Sequence, residues 1–169
     1  MRDLSKKGLR ILVIQRSFVN WRSATLISLS KTVRGAASDS LDSKDVTATV
    51  LLVEDTEDNR QMMKRLLEIS GYRVFEANNG REAVELANEV QPQIILMDLS
   101  LPFIDGLAAT RQIRRLPHLS NVPIVAVSAH DTADFHREAL DAGCNAYITK
   151  PIDYPELEDL VSRLLAGNR

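Results

Sequence analysis

Acidic, hydroxyl and lysine side chains follow directly on short apolar runs at four places in this sequence. Glu54 and Asp55 end the first run, and Asp98, Ser128 and Lys150 end three later ones, at intervals of 43, 30 and 22 residues counted from Asp55. Such runs are typical of buried parallel strands, whose carboxyl ends meet at one edge of a sheet and there form the usual ligand site. We therefore expect these side chains to converge.

The converging residue types indicate a particular chemistry. Three carboxylates would repel one another unless a cation neutralised them. Oxygen ligands without His or Cys favour Mg²⁺, which keeps several waters of its own. Lys150 adds a positive charge, and Ser128 adds a hydroxyl that can donate to an anionic oxygen. The set predicts a site that holds a phosphoryl group beside Asp98 while the metal and the lysine disperse its charge.

Strand-like runs alternate strictly with amphipathic helical patterns after residue 45. This alternation requires right-handed crossovers and helices on both faces of a parallel sheet. We therefore assign an α/β fold, a doubly wound five-stranded parallel sheet of the flavodoxin-like type. The predicted strands are 46–53, 72–76, 93–98, 122–127 and 145–149, and the predicted helices are 57–70, 80–90, 107–115, 132–141 and 153–166.

Residues 1–45 differ from the rest of the chain in charge. They carry nine Lys or Arg and four Asp, whereas residues 46–169 carry 12 basic and 19 acidic residues. The stretch 35–45 is small, polar and aperiodic, as linkers are, and the whole segment is too short to bury a core of its own. We expect a basic N-terminal extension and linker at 1–45, disordered or irregular, and one folded domain at 46–169.

The overall composition argues against several classes of protein. The 169 residues carry a net charge of −2, without the basic excess usual in nucleic-acid binders. Cys144 is the single cysteine, so no internal disulfide forms. The uncharged stretches fall far short of the roughly 20 apolar residues of a membrane span. We expect a cytoplasmic protein that binds neither nucleic acid nor a membrane.

Four motifs of this sequence occur together in one known family. They are Leu-Val-Glu54-Asp55, Ile-Leu-Met-Asp98-Leu-Ser-Leu-Pro102 with its Asp105-Gly106 turn, Val-Ala-Val-Ser128-Ala129 and Tyr147-Ile-Thr-Lys150-Pro151. Through them residues 48–166 resemble the receiver domain of two-component response regulators. The resemblance implies that Asp98 accepts a phosphoryl group from a sensor histidine kinase or a histidine phosphotransfer protein. It also implies that the chain is no enzyme, beyond promoting its own phosphorylation and dephosphorylation.

The same resemblance assigns metal ligands. It implies that Asp55 and Asp98 bind Mg²⁺ directly, that the backbone carbonyl of Ser100 is a third ligand, and that Glu54 acts through a water molecule. In similar domains Asp is common where Glu54 stands, and the change keeps the chemistry. Two residues are candidates for tuning the lifetime of the phosphoryl group: Ser100, two residues beyond Asp98, and His130, two residues beyond Ser128.

The resemblance also implies a switch. Ser128, Ala129 and Lys150 would contact the phosphoryl oxygens, with a cis bond between Lys150 and Pro151. Movement of Ser128 would let Tyr147 rotate inward and change the surface formed by 132–141, 145–149 and 153–166. The chain has four residues after Leu165, so we expect a stand-alone receiver, a monomer or weak dimer, that signals to a downstream protein target.

Two other functions share parts of this pattern. Phosphatases with an aspartate nucleophile resemble one another in a second Asp two residues after it, and this chain has Ser100 there. The alternative is a phosphate-independent interaction module that keeps a receiver shell. Such a module is expected to lack Asp98, Asp55 or Lys150, and all three are present in this sequence.

Some residues are assigned to structure rather than to function. We place Met62 and Met63 in the core of the first helix. His136 and the basic residues of the third helix, Arg114 among them, are assigned to solvated surface.

Overall fold

The computed structural model describes residues 48–167. The expected extension at 1–45 lies outside the described residues, so the boundary between it and the domain stays a prediction. Within the described part, one sheet has the strand order β2-β1-β3-β4-β5, and every neighbouring pair is parallel. The strands are β1 (Thr49–Val53), β2 (Arg73–Ala77), β3 (Ile94–Asp98), β4 (Ile124–Ser128) and β5 (Ala146–Thr149).

A helix follows each strand, which confirms the α/β fold class. Element ends differ from the predictions by at most three residues, and a short 3-10 helix at Pro117–Leu119 was not predicted. No helix of the described residues is long and apolar enough to cross a membrane. The helices are α1 (Glu57–Ile69), α2 (Gly80–Val90), α3 (Gly106–Arg114), α4 (Ala133–Ala142) and α5 (Tyr154–Ala166).

The core has two layers, one on each face of the sheet. Alternate residues of each strand point to opposite faces, so Leu51 and Ile95 pack with α2, α3 and α4, while Val50 and Leu96 pack with α1 and α5. All five positions of β3 and of β4 are buried. Covered faces explain why these strands are continuous apolar runs without polar alternation.

The buried stripe of α1 differs from the one predicted. Arg60, Met63 and Leu67 are buried, whereas Met62 is 58% exposed and Ile69 is 74% exposed. The spacing of three and four residues keeps the first three on one face of the helix, and Met62 lies off that face. The assignment of Met62 to the core is therefore wrong.

Arg114 is not on the solvated surface where the sequence placed it. Its guanidinium donates hydrogen bonds to the carbonyl oxygens of Gly143 (2.9 Å) and Leu119 (3.0 Å) and to Oδ1 of Asn145 (2.8 Å). The long side chain thus links the end of α3 to the turn before β5. A sequence pattern does not show such a reach, because the acceptors in Gly143 and Asn145 lie 29 and 31 residues further along the chain.

Cys144 belongs to the core layer under α3 and α4. Its side chain is fully buried, and burial raises the pKa of the thiol to about 11. The thiol therefore stays protonated and shielded at neutral pH. We expect Ellman's reagent at pH 8 to modify Cys144 at least about 100-fold more slowly in the folded protein than in denaturant. Equal rates would contradict this packing.

Candidate functional site

Three carboxylates meet at the carboxyl edge of the sheet. Glu54 and Asp55 directly follow β1, and Asp98 ends the neighbouring strand β3. One carboxylate oxygen from each lies within 4.8 Å of the other two. Strand order reverses at β1, with β2 on one side and β3 on the other, and this reversal opens the crevice in which ligands of such sheets bind. The predicted convergence is confirmed for these residues.

Lys150 connects two of the three carboxylates. Its Nζ donates to Oδ2 of Asp98 at 2.6 Å and to Oε2 of Glu54 at 2.7 Å. The lysine follows β5, and its side chain reaches past β4 to these carboxylates. Its backbone N–H donates to the carbonyl oxygen of Ser128, the last residue of β4, at 2.7 Å. The bond from Lys150 to Pro151 is cis, as the resemblance implied.

Burial governs the charges of this cluster. The side chains of Asp98 and Glu54 are 3% and 2% exposed. Burial raises the pKa of Asp98 above its ordinary value. This effect of burial outweighs the opposite effect of the hydrogen bonds from Lys150 and the Ser100 amide. Burial acts in the same direction on Glu54, but there the contacts with Lys150, Asn59 and the Thr56 amide together outweigh it and the pKa is lowered. Burial also opposes the charge of Lys150, yet its two carboxylate partners raise its pKa.

Residues of the first turn of α1 hold the acidic pair in place. Nδ2 of Asn59 donates to Oε1 of Glu54 at 3.3 Å, and the guanidinium of Arg60 donates to the carbonyl oxygen of Glu54 at 2.9 Å. Asp55 is exposed at the rim. The sequence analysis missed Asn59 and Arg60. The available signal was an arginine on the same face of α1 as Met63, where an apolar residue is usual.

The loop after β3 shapes the surroundings of Asp98. The backbone N–H of Ser100 donates to Oδ1 of Asp98 at 2.8 Å. A Cβ at Gly106 would lie 2.1 Å from the carbonyl oxygen of Asp98, so only glycine lets α3 start against this strand end. Asp105 caps α3 by accepting from the Ala108 amide at 2.7 Å. Ser100 is therefore at the site, while the role of its carbonyl stays a prediction.

Ser128 and Tyr147 share the loop that follows β4. Oγ of Ser128 accepts from the backbone N–H of His130 at 3.1 Å, and the Tyr147 hydroxyl donates to the His130 carbonyl at 2.6 Å. Tyr147 is 6% exposed, and Ala129 and His130 are exposed. Among residues 48–167, no hydrogen bond joins the Ser128 hydroxyl to the carboxylate of Asp98 or to the ammonium of Lys150. Ser128 and Tyr147 are thus linked through the His130 backbone, whereas Lys150 lies in the acidic cluster.

His136 packs against Tyr147 rather than lying free in solvent. The two rings have centroids 4.1 Å apart, and Nε2 of His136 is 3.1 Å from a carboxylate oxygen of Asp131. The expectation of a solvated histidine is therefore wrong. Its position on α4, facing β5, was not visible in a sequence that shows it as an isolated polar residue.

An apolar groove opens beside the carboxylates. It encloses about 270 Å³ between α1 and the segment after β5, with Met62, Leu66, Ile152 and Tyr154 on its walls and Glu54 and Lys150 at one end. The exposure of Met62 is explained by this groove, because the side chain forms part of its lining.

Comparison with known proteins places the chain in a family. The family model for the response regulator receiver domain matches residues 50–162. The polar-differentiation response regulator DivK of Brucella anthropi is 37% identical over 117 residues, which cover 69% of this chain and 95% of that protein. The DivK of Brucella ovis is 36% identical over 120 residues, or 71% of this chain and 98% of that protein.

Solved structures agree in fold. The receiver domain of the sensor histidine kinase PA1611 of Pseudomonas aeruginosa, with a magnesium ion coordinated in its active-site cleft, is 36% identical with a TM-score of 0.68, covering 72% of this chain and 99% of that one. The chemotaxis protein CheY4 of Vibrio cholerae is 26% identical with a TM-score of 0.68, covering 70% and 99%. Sequence and fold together show that this chain belongs to the response regulator receiver family of two-component signalling.

Proposed function

We propose that this chain accepts a phosphoryl group on Asp98 from a sensor histidine kinase or a histidine phosphotransfer protein. The observation that carries the proposal is the position of Lys150, whose Nζ lies 2.6 Å from Asp98 and 2.7 Å from Glu54. A fixed ammonium at the accepting carboxylate supplies positive charge where negative charge accumulates during transfer. Asp55, Asp98 and Lys150 are all retained, which disfavours the phosphate-independent interaction module.

Mg²⁺ is the proposed cofactor, and the donors present fit it. Glu54, Asp55 and Asp98 offer carboxylate oxygens only, and the exposed Asp55 leaves the cluster open to the ion. Asp55, Asp98 and the Ser100 carbonyl are the proposed direct ligands. Glu54 is proposed to contact the ion through a water molecule. When bound, Mg²⁺ neutralises carboxylate and phosphoryl charge.

The proposed step forms one bond and breaks one. An oxygen of Asp98 bonds to the phosphorus of a phosphohistidine as the N–P bond breaks, and the departing imidazole takes up a proton. The Ser100 amide and the Lys150 ammonium orient the carboxylate by holding Oδ1 and Oδ2. The product is an acyl phosphate on the chain itself. The protein therefore acts as a phosphoacceptor. Hydrolysis of the acyl phosphate is a later reaction, whose rate Ser100 and His130 are proposed to tune.

We propose that the signal passes through the loop after β4. New phosphoryl oxygens attract the hydroxyl of Ser128 and the amide of Ala129, which pulls this loop toward Asp98. The His130 backbone is bonded both to Ser128 and to Tyr147, so movement of the loop reaches the surface formed by α4, β5 and α5. That surface is the proposed contact for a downstream protein target.

The proposed partners are proteins. The groove lined by Met62, Leu66 and Ile152 leads to the carboxylates and suits a helix of the phosphodonor. Nucleic acid and membranes are not among the proposed partners, and the protein is proposed to work in the cytoplasm as a monomer or weak dimer.

Mg²⁺ is expected to stabilise the fold through Asp55. A Kd of about 1 mM would add about 1.4 kcal/mol to the free energy of unfolding at 10 mM Mg²⁺, which raises the unfolding midpoint by about 5 °C. Differential scanning fluorimetry with and without Mg²⁺ measures this shift. In Asp55→Asn the shift is expected to vanish, whereas Asp141→Asn, an exposed change at the end of α4, keeps it. A full shift in Asp55→Asn would exclude this residue as a ligand.

Intact-mass spectrometry tests the proposed function directly. Incubation with Mg²⁺ and acetyl phosphate is expected to add about 80 Da, the mass of one phosphoryl group, and EDTA is expected to prevent the gain. A folded protein that gains no mass under these conditions would contradict the proposal.

A further inference from the structure

Phe103 is the most exposed large apolar side chain in the described part of the chain. It is 99% exposed, compared with 74% for Ile69 and 58% for Met62. An aromatic ring in this position has no apolar neighbour to pack against, so it contributes nothing to the hydrophobic stabilisation of the domain. Its identity therefore has no explanation inside the folded chain.

The backbone at Phe103 is in a conformation that opposes an aromatic residue. Its φ is +66°, and the Ile104 N–H donates to the Pro102 carbonyl at 2.8 Å, which makes Phe103 the centre of a three-residue turn. Such turns with positive φ are rare and strained, and a bulky residue pays a steric cost there that glycine or asparagine largely avoids. Strain of this kind is retained mainly at functional sites.

The neighbouring contacts hold this turn outward. The Gly106 N–H donates to the Leu99 carbonyl at 3.2 Å, so the loop closes on itself directly after Asp98. A Cβ at Gly80 would lie 2.3 Å from the Ile104 carbonyl, which shows how closely the loop is pressed against the start of α2. Phe103 is thus presented to solvent by a loop whose two ends are fixed.

A protein phosphodonor must cover this loop. Half of a typical protein interface, about 800 Å², extends about 16 Å from its centre if it is circular. The loop leaves Leu99 and returns to it by Gly106, so its tip lies within about 12 Å of Leu99. An interface centred on Asp98 therefore includes Phe103 on one side, and Met62 of the groove lies on the α1 side.

We propose that Phe103 is a docking anchor for the protein that delivers the phosphoryl group, and that it inserts into an apolar depression beside the phosphohistidine of that partner. The inference rests on the proposed function and names a recognition residue for it. The phosphodonor is favoured over a downstream target because only the donor has to approach Asp98 itself. Buried aromatic side chains are the typical energetic centres of such contacts.

Phosphotransfer kinetics with Phe103→Asn test the proposal. The probes are the purified histidine kinases and phosphotransfer proteins encoded in the source genome, each phosphorylated on histidine beforehand. Asparagine tolerates positive φ, so the unfolding midpoint is expected to stay unchanged or to rise. Transfer from the donor that labels the wild type is expected to slow about 10-fold or more, while labelling by acetyl phosphate stays unchanged.

Two control variants bracket this result. Ile69→Asn makes the same kind of exposed apolar-to-polar change at the far end of α1, about 20 Å along the helix from its start, and is expected to leave transfer unchanged. Phe103→Tyr retains the ring and is expected to keep the wild-type rate.

The outcomes separate this proposal from the proposed function. Unchanged transfer to Phe103→Asn would overturn the docking role, and so would an equal loss of labelling by acetyl phosphate, which would assign the loop to the carboxylate site itself. Self-association that Phe103→Asn abolishes would identify a second copy of the chain as the occupant instead. Labelling by acetyl phosphate but by none of the protein donors would overturn the docking proposal and the protein donor of the proposed function, while Asp98 would remain the acceptor.

Discussion

Asp98→Asn is expected to gain no mass on incubation with Mg²⁺ and acetyl phosphate, whereas the wild type gains about 80 Da. The amide lacks the nucleophilic carboxylate oxygen, which the Lys150 ammonium and the Ser100 amide hold in place in the wild type. Since asparagine has nearly the same shape as aspartate, we expect the fold to persist. Intact-mass spectrometry, with circular dichroism as the check on folding, measures both.

The stability of the same variant gives an independent test. Burial raises the pKa of Asp98 in the folded state, and a carboxyl with a raised folded pKa costs stability as the pH rises above its unfolded value. In EDTA at pH 7 we therefore expect Asp98→Asn to unfold at the same temperature as the wild type or higher, with the advantage shrinking toward acid pH.

Asp141→Asn serves as the control for labelling. Wild-type labelling in Asp98→Asn would show that another residue is the acceptor.

Lys150→Ala is expected to slow phosphorylation by about 100-fold, the typical effect of removing one group that stabilises developing charge. Its affinity for Mg²⁺ is expected to stay the same or to increase. The ammonium is bonded to Asp98 and Glu54, so its loss leaves those carboxylates more negative and removes a competing cation. Labelling time courses and calorimetric Mg²⁺ titrations measure the two effects separately.

Lys64→Ala is the matched control for that variant. Lys64 also forms an ion pair with a carboxylate, that of Glu76, but on α1 and β2, outside the acidic cluster. It is expected to leave both the labelling rate and the Mg²⁺ affinity unchanged. A Lys150→Ala protein that is labelled at the wild-type rate would remove the lysine from the transfer step.

Much of the fold was predictable because its signals are local. The apolar runs of β3 and β4 appear as continuous strands, since helices cover both faces of the sheet. The position of Asp98 at the end of such a run was enough to place it at the carboxyl edge, because parallel strands end together. The meeting of Glu54, Asp55 and Asp98 follows from the same rule.

Other features depend on contacts between distant parts of the chain. The reach of Lys150 to Glu54 spans 96 residues, and the bonds of Arg114 end on backbone carbonyl groups whose position only the folded chain defines. The packing of His136 on Tyr147 depends likewise on how α4 lies against β5. The outward turn at Phe103 runs against the local preference of its residue type, so a propensity argument gives no indication of it.

The identity of the acceptor residue is the central claim, and reductive trapping tests it most directly. Borohydride converts an aspartyl phosphate to homoserine, which marks its position in the sequence. We expect peptides from wild-type protein treated with Mg²⁺, acetyl phosphate and borohydride to contain homoserine at position 98 and at no other aspartate. Homoserine at Asp55 or at any other aspartate, with position 98 unmodified, would contradict the assignment of Asp98 as the phosphoacceptor.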